Sequence, residues 1–158
     1  MAALAEELDS TREEIRCIAR ELRPEALDDL GLVNALIALS SRLARQSGIP
    51  IERKLASDLP PLSEELELVI YRIAQEAMTN VLRHSEATRC ELALEMSNGQ
   101  IALTVADNSR GISDPPGDET IGIEGMRERA LLVDGILGID SAPGSGTTVR
   151  LEAPVRVA

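Results

Sequence analysis

A chain of 158 residues suffices for one well-packed core and a small appendage. Apolar residues make up 44%, with no Trp, no Phe and only Tyr71, so the core must be aliphatic and a base-stacking surface for single-stranded nucleic acid is excluded. Acidic side chains (27) outnumber basic ones (16), the net charge is −11, and the scattered Lys and Arg argue against nucleic-acid or anionic-membrane binding. An anionic ligand would have to be held by local backbone N–H groups and a metal against that field.

The cysteines, Cys17 and Cys90, form neither a disulfide framework nor a metal set and read as reduced structural thiols. His84 is the one histidine, which rules out sites needing two. No apolar run approaches the ~18–20 residues of a membrane span, and no signal peptide is present. The expected location is cytoplasmic.

In chain order, Leu4, Leu8, Thr11, Ile15, Ile18 and Leu22 alternate steps of four and three, a short heptad seam that needs a partner helix. Pro24 ends or kinks that helix. Leu30 to Ala44 reads as a second amphipathic helix, stopped by Gly48-Ile49-Pro50. Ile51–Leu55 is an expected edge strand, followed by a turn at Pro60-Pro61. Ser63, with Glu64 and Glu65 behind it, caps a long helix over Leu66–Ser85. There Leu66, Val69, Ile70, Ile73, Ala77 and Val81 form the apolar stripe, while Glu76, Asn80 and Arg83 share one side. Asn80 lies roughly 50° from the stripe's centre, close enough to need polar partners.

Cys90–Met96 and Gln100–Ala106 alternate about Asn98-Gly99, a strong hairpin signal. After a Gly/Pro/Asp-rich break from Asn108 to Thr120, Gly122–Val133 reads as a helix. Ile136–Ser141 and Thr147–Ala153 read as strands joined by a turn at Pro143–Gly146. This order predicts an α/β (α+β) two-layer sandwich, a mixed sheet with helices on one face. The expected boundary, near Arg23–Asp28, separates residues 1–27 from a domain over 28–158.

Three glycine-containing stretches follow the long helix: Asp107-Asn108-Ser109-Arg110-Gly111, Gly122-Ile123-Glu124-Gly125-Met126-Arg127 and Gly144-Ser145-Gly146-Thr147-Thr148. Singly each could be an ordinary turn or cap. In this order, behind an Asn-bearing helix, they form a combination that chance seldom produces.

The sequence resembles the ATP-binding catalytic domain of bacterial sensor histidine kinases, in the superfamily shared with gyrase, heat-shock-90-class chaperones and mismatch-repair ATPases. More narrowly it resembles the subfamily that signals to response regulators with a helix-turn-helix output domain. The markers are Leu22-Arg23-Pro24, Leu30-Gly31-Leu32, Ala35-Leu36, the run from Glu76 to His84, and Gly125-Met126-Arg127-Glu128-Arg129.

The resemblance implies a Bergerat-type ATP-binding fold and the following roles. Asn80 would ligate Mg²⁺ on the ATP phosphates. Glu76 would orient or deprotonate the attacking group, and Arg83 and His84 would lie at the phosphate end. Asp107 would accept a hydrogen bond from the adenine amino group, with Gly111 allowing close backbone approach. Gly122 and Gly125 would present N–H groups at a helix start, beside Ile123 and Met126. Thr148, and less firmly Thr147, would close the adenine pocket. Ser113–Thr120 would be a lid, and Ile112, Ile123, Leu131 and Val81 would line the apolar wall.

The sequence departs from the family at Ser109 and Thr120, where glycines are usual. Residues 1–23 resemble the second helix of a dimerisation hairpin, so the phosphoacceptor histidine would lie on a helix preceding this chain. The implied partners are that helix, a response regulator and, through residues 4–22, a second copy of the chain. The implied activity is ATP-dependent phosphorylation of histidine in two-component signalling. The alternatives are a degraded, non-catalytic module of the same fold and an anti-sigma-type serine kinase.

Overall fold

The computed structural model describes residues 23–84, 86–109, 119–142 and 144–156, without the side chains of residue 84 and residues 119–121. The heptad segment, Cys17, Gly111, Ile112, the His84 side chain and most of the expected lid therefore lie outside the described residues.

Pro24 occupies the N-cap of α1 (Glu25–Leu30), where its fixed φ suits a helix start. Gly31, at φ +78°, then turns the chain before α2 (Leu32–Ser47). The helix expected over Leu30–Ala44 therefore starts at Leu32, because that backbone conformation cannot continue a helix, and α1 ahead of it is a short element the periodicity did not announce. In α2, Leu32, Leu36, Leu39 and Leu43 recur at steps of four and three and are buried.

β1 (Ile51–Leu55) pairs in parallel with β2 (Cys90–Ser97), a geometry that needs a long connection. That connection is α3 (Glu64–His84). Ser63 starts it as expected: its Oγ accepts the Leu66 N–H at 3.1 Å, and Glu64, Glu65 and Glu67 occupy the positive end. Leu66, Val69, Ile70, Ile73, Ala77 and Val81 are all buried, joined by Ala74 and Met78.

A tight turn at Asn98-Gly99, both at positive φ, leads into β3 (Gln100–Asp107), antiparallel to β2. After α4 (Glu119–Leu131) come β4 (Ile136–Ser141) and β5 (Thr147–Pro154). The mixed sheet runs β1-β2-β3-β5-β4, with β5 antiparallel to both neighbours. Leu92, Leu94, Leu103, Val105, Val149 and Leu151 occupy one pleat face and pack with the helices into the core. The opposite face carries Glu95, Thr104, Arg150 and Glu152; there Arg150 reaches Glu152 Oε1 at 2.8 Å and Thr104 Oγ1 at 3.1 Å. The architecture is the two-layer α/β sandwich expected from the element order.

Two expectations need correction. The helix expected from Gly122 begins three residues earlier, at Glu119, so Gly122 and Gly125 lie inside it. Leu131, expected on the ligand's apolar wall, is 71% exposed at the last position of α4, while Val81 belongs to the core.

Candidate functional site

The α3 helix presents Glu76 and Asn80, one turn apart and both half-buried, on the edge of its apolar stripe. Arg83, three residues on, is exposed. Gly122 of α4 lies directly against the first two. A Cβ built on it would collide with Glu76 Oε1 and stand 3.2 Å from Glu76 Cδ and 3.4 Å from Asn80 Nδ2. Absence of a side chain at position 122 is what lets the helix approach this amide and carboxylate so closely. Met126, one turn further along α4, is fully buried, and Ile123 packs partly buried against the core. Because α4 starts at Glu119, the N–H groups of Gly122 and Gly125 fall within the helix's own hydrogen-bonding span rather than ahead of it.

A second cluster forms at the end of β3. Asp107 is half-buried, and its Oδ1 accepts the Ser109 N–H at 2.8 Å, which fixes the carboxylate's orientation. Register places Cys90, Asp107, Thr147 and Ser141 in one row across β2, β3, β5 and β4. The pleat puts all four on the helix-facing side. Thr147, whose Oγ1 lies 2.9 Å from Ser141 Oγ, therefore shares the face of Asp107. Thr148, ranked first by sequence, pairs with Ala106 and belongs to the opposite face.

Gly146 adopts φ +81°, and a Cβ there would collide with the Asp107 carbonyl oxygen. Its importance is packing against the strand that carries the carboxylate, in addition to forming the turn. A shallow cleft beside Asp107 is lined also by Pro50, Glu52, Arg89, Cys90, Glu91, Ala106 and Asn108. Asn80 does not line it. Gly111 and Ile112, expected at the nucleotide, lie outside the described residues.

Sequence reading missed two side chains. Asn108 bonds three groups in the segment after α3, at 2.8–3.1 Å. Arg23 was read only as part of a motif. Its side chain, 10% exposed, reaches Asp28 at 2.6 Å, the Glu64 carbonyl at 2.8 Å and Glu67 at 3.1 Å, tying the chain ahead of α1 to the first turn of α3. Polar residues flanking an apolar segment were the available signal for both, without their partners.

Burial, then the charges of Asp107 and Glu91, push the Cys90 thiol up to about 12. It is a protonated structural thiol at neutral pH, as its strand position implied. Among the described residues no three His, Cys, Asp or Glu side chains converge on a metal position. The oxygens of Glu76 and Asn80 are hard donors, suited to a divalent cation that takes its other ligands from phosphate and water. No described helix is long and apolar enough to cross a membrane.

Comparison with known proteins gives a consistent answer. Residues 65–157 match the family model described as histidine kinase-, DNA gyrase B- and HSP90-like ATPase. The chain is 34% identical over 145 residues to the oxygen sensor histidine kinase NreB of Staphylococcus carnosus, covering 90% of this chain and 42% of that protein. It is 37% identical over 153 residues to the sensor histidine kinase MctS of Rhizobium johnstonii, covering 94% and 33%. It thus spans well under half the length of these relatives. The fold matches the histidine kinase domain of the Erythrobacter litoralis EL346 blue-light activated kinase with a TM-score of 0.68 at 23% identity, over 78% of this chain and 61% of that one. Full-length ShkA, solved in complex with AMPPNP, matches with a TM-score of 0.67 at 22% identity, over 81% and 30%. The residues the family model covers run from the first turn of α3 to just past β5, and the chain belongs to the histidine kinase-, DNA gyrase B- and HSP90-like ATPase family.

Proposed function

We propose that residues 28–158 bind Mg-ATP and transfer its γ-phosphoryl group to a histidine on a helix outside this chain. A response regulator would be the next acceptor in a two-component pathway. The observation that carries this reading is the seating of Gly122 on Glu76 and Asn80, which joins the helix of the glycine motif to the helix of the amide motif. The naming of relatives as sensor histidine kinases supports it.

In this reading Asn80, through its side-chain oxygen, would hold Mg²⁺, which when bound would supply positive charge against the phosphates. Glu76 accepts the proton released from the imidazole's other ring nitrogen as its unprotonated nitrogen attacks the γ-phosphorus; the bond from that phosphorus to the bridging oxygen breaks and ADP leaves. Arg83 and His84 serve the phosphate end. Asp107, already oriented by the Ser109 N–H, accepts from the adenine amino group, with Thr147 beside it. Gly122, Ile123, Gly125 and Met126 flank the phosphates, and Gly111, Ile112 and Thr148 complete the proposed nucleotide set. The field of a chain with net charge −11 opposes a tetraanionic ligand, so binding should depend strongly on the cation.

Calorimetry with ATP, with and without Mg²⁺, tests the binding step, and Asn80→Ala should remove the Mg²⁺-dependent gain while the protein stays folded. No binding at millimolar ATP sinks the reading. A supplied helical-hairpin phosphoacceptor should acquire acid-labile phosphate; acid-stable phosphoserine would point to a serine kinase. One observation favours a non-catalytic module instead: α4 incorporates both glycines that would otherwise offer free N–H groups. Nucleotide binding without transfer to any supplied hairpin would establish that alternative.

A further inference from the structure

The Asn108 side chain makes three hydrogen bonds to a segment twenty residues earlier in the chain. Its Oδ1 accepts the Thr88 N–H at 3.0 Å and the Arg89 N–H at 3.1 Å, and its Nδ2 donates to Thr88 Oγ1 at 2.8 Å. The amide orientation follows from the partners, since two backbone donors require the oxygen. Thr88 and Arg89 stand between the end of α3 and Cys90, the first residue of β2, and Asn108 directly follows Asp107.

These bonds span the two parts of the site. On one side lies the helix end carrying Asn80 and Arg83; on the other, the strand end carrying Asp107. Asp107 and Cys90 are cross-strand partners, so the β-ladder already fixes the strands relative to each other. It does not fix the irregular residues between α3 and β2, whose backbone donors Asn108 takes up.

We propose that Asn108 is a positioning residue of the nucleotide site, holding the Asp107 carboxylate at a fixed separation from the phosphate-end residues of α3. The proposal rests on the Mg-ATP reading above. Asn108 does not touch the nucleotide; it acts through Asp107 and the segment after α3. Its loss would therefore affect base discrimination as well as affinity, because a displaced carboxylate no longer selects an amino group over a carbonyl at the same place on the purine.

The test measures ATP and GTP affinities with Mg²⁺ for the 158-residue chain and for Asn108→Ala, Asn108→Asp and Thr88→Val, with thermal melting as the check of fold. Asn108→Ala should weaken ATP binding about tenfold and narrow the ATP-over-GTP ratio. Asn108→Asp keeps an acceptor for both backbone N–H groups and can accept from the Thr88 hydroxyl, so it should restore affinity and ratio to within about threefold of wild type. A folded Asn108→Ala with wild-type affinity and ratio overturns the proposal, as does an Asn108→Asp as impaired as Asn108→Ala. Should Asn108→Ala not fold, Thr88→Val decides: a narrowed ratio supports the role and an unchanged one overturns it. A wild-type chain that binds no ATP removes the nucleotide reading and this role together, whereas a wild type that binds beside an unaffected, folded Asn108→Ala removes only this role.

Discussion

Gly122 meets Glu76 where α4 crosses α3, at a separation that admits no side chain on the glycine without moving the carboxylate. The obstructing atom ends a flexible side chain, so Gly122→Ala should fold, with melting unchanged or raised by the better helix propensity of alanine, up to about 1 kcal/mol. Nucleotide binding or phosphoryl transfer should fall, because the displaced group is the proposed base. A thermal melt paired with calorimetry checks both; unchanged nucleotide binding and transfer in the folded variant would show that the close approach serves packing alone.

At Gly146 the obstruction is backbone. With φ at +81° and the Asp107 carbonyl oxygen in the path of a Cβ, Gly146→Ala has no inexpensive rearrangement. The expected cost is about 2 kcal/mol or more, read by urea denaturation. Gly144→Ala, also at positive φ but with open space around it, should cost less. Equal losses at the two positions would mean that torsional strain, and not contact with the Asp107 strand, sets the penalty.

Arg23 makes three contacts, one to Asp28 of α1 and two to the first turn of α3, and two of the three are to carboxylates. Arg23→Met retains much of the aliphatic bulk but no donor, and should lower stability by about 2 kcal/mol. Arg23→Lys should recover only part, since one ammonium cannot reproduce the guanidinium's spread of donors. Denaturation midpoints check this ordering; a lysine variant as stable as wild type would reduce the contact to simple charge pairing.

Cys90 predicts a dependence on alkaline pH. The folded thiol, 3% exposed, is pushed up to about 12 from an ordinary value near 9. Below pH 9 both states keep the proton and the group contributes no slope. Between 9 and 12 the unfolded chain loses it while the folded chain does not, so stability falls by up to about 1.4 kcal/mol per pH unit. Unfolding measured from pH 7 to 10.5 should show a shallower alkaline decline in Cys90→Ala; superimposable declines would refute the assignment.

What the sequence disclosed and what it withheld follow from the range of the interactions involved. Periodicity in Leu66–Val81 and alternation about Asn98-Gly99 are local, so α3 and the β2–β3 hairpin were visible before any coordinates. The start of α4 was misplaced because Glu119, Thr120 and Ile121 have no strong preference against a helix, while the glycines after them looked like a beginning. Which of Thr147 and Thr148 shares the face of Asp107 is hidden in the sequence, because a single step along a strand reverses the face and only register decides it. Asn108 reads as an ordinary turn residue until Thr88 and Arg89 are seen beside it. Nothing in adjacent positions announces a bond across twenty residues.

The parallel pairing of β1 with β2 has a consequence for how the molecule assembles. Ile51 and its partner Cys90 are separated by the whole of α3, whereas β2 and β3 are joined by one tight turn. Closing the longer loop costs more chain entropy, so the hairpin can zip early while the outer strand must wait until the helix has docked. The segment bearing Glu76 and Asn80 is thus also the tether through which the outer strand reaches its partner, so the loop that β1 closes by pairing contains both side chains.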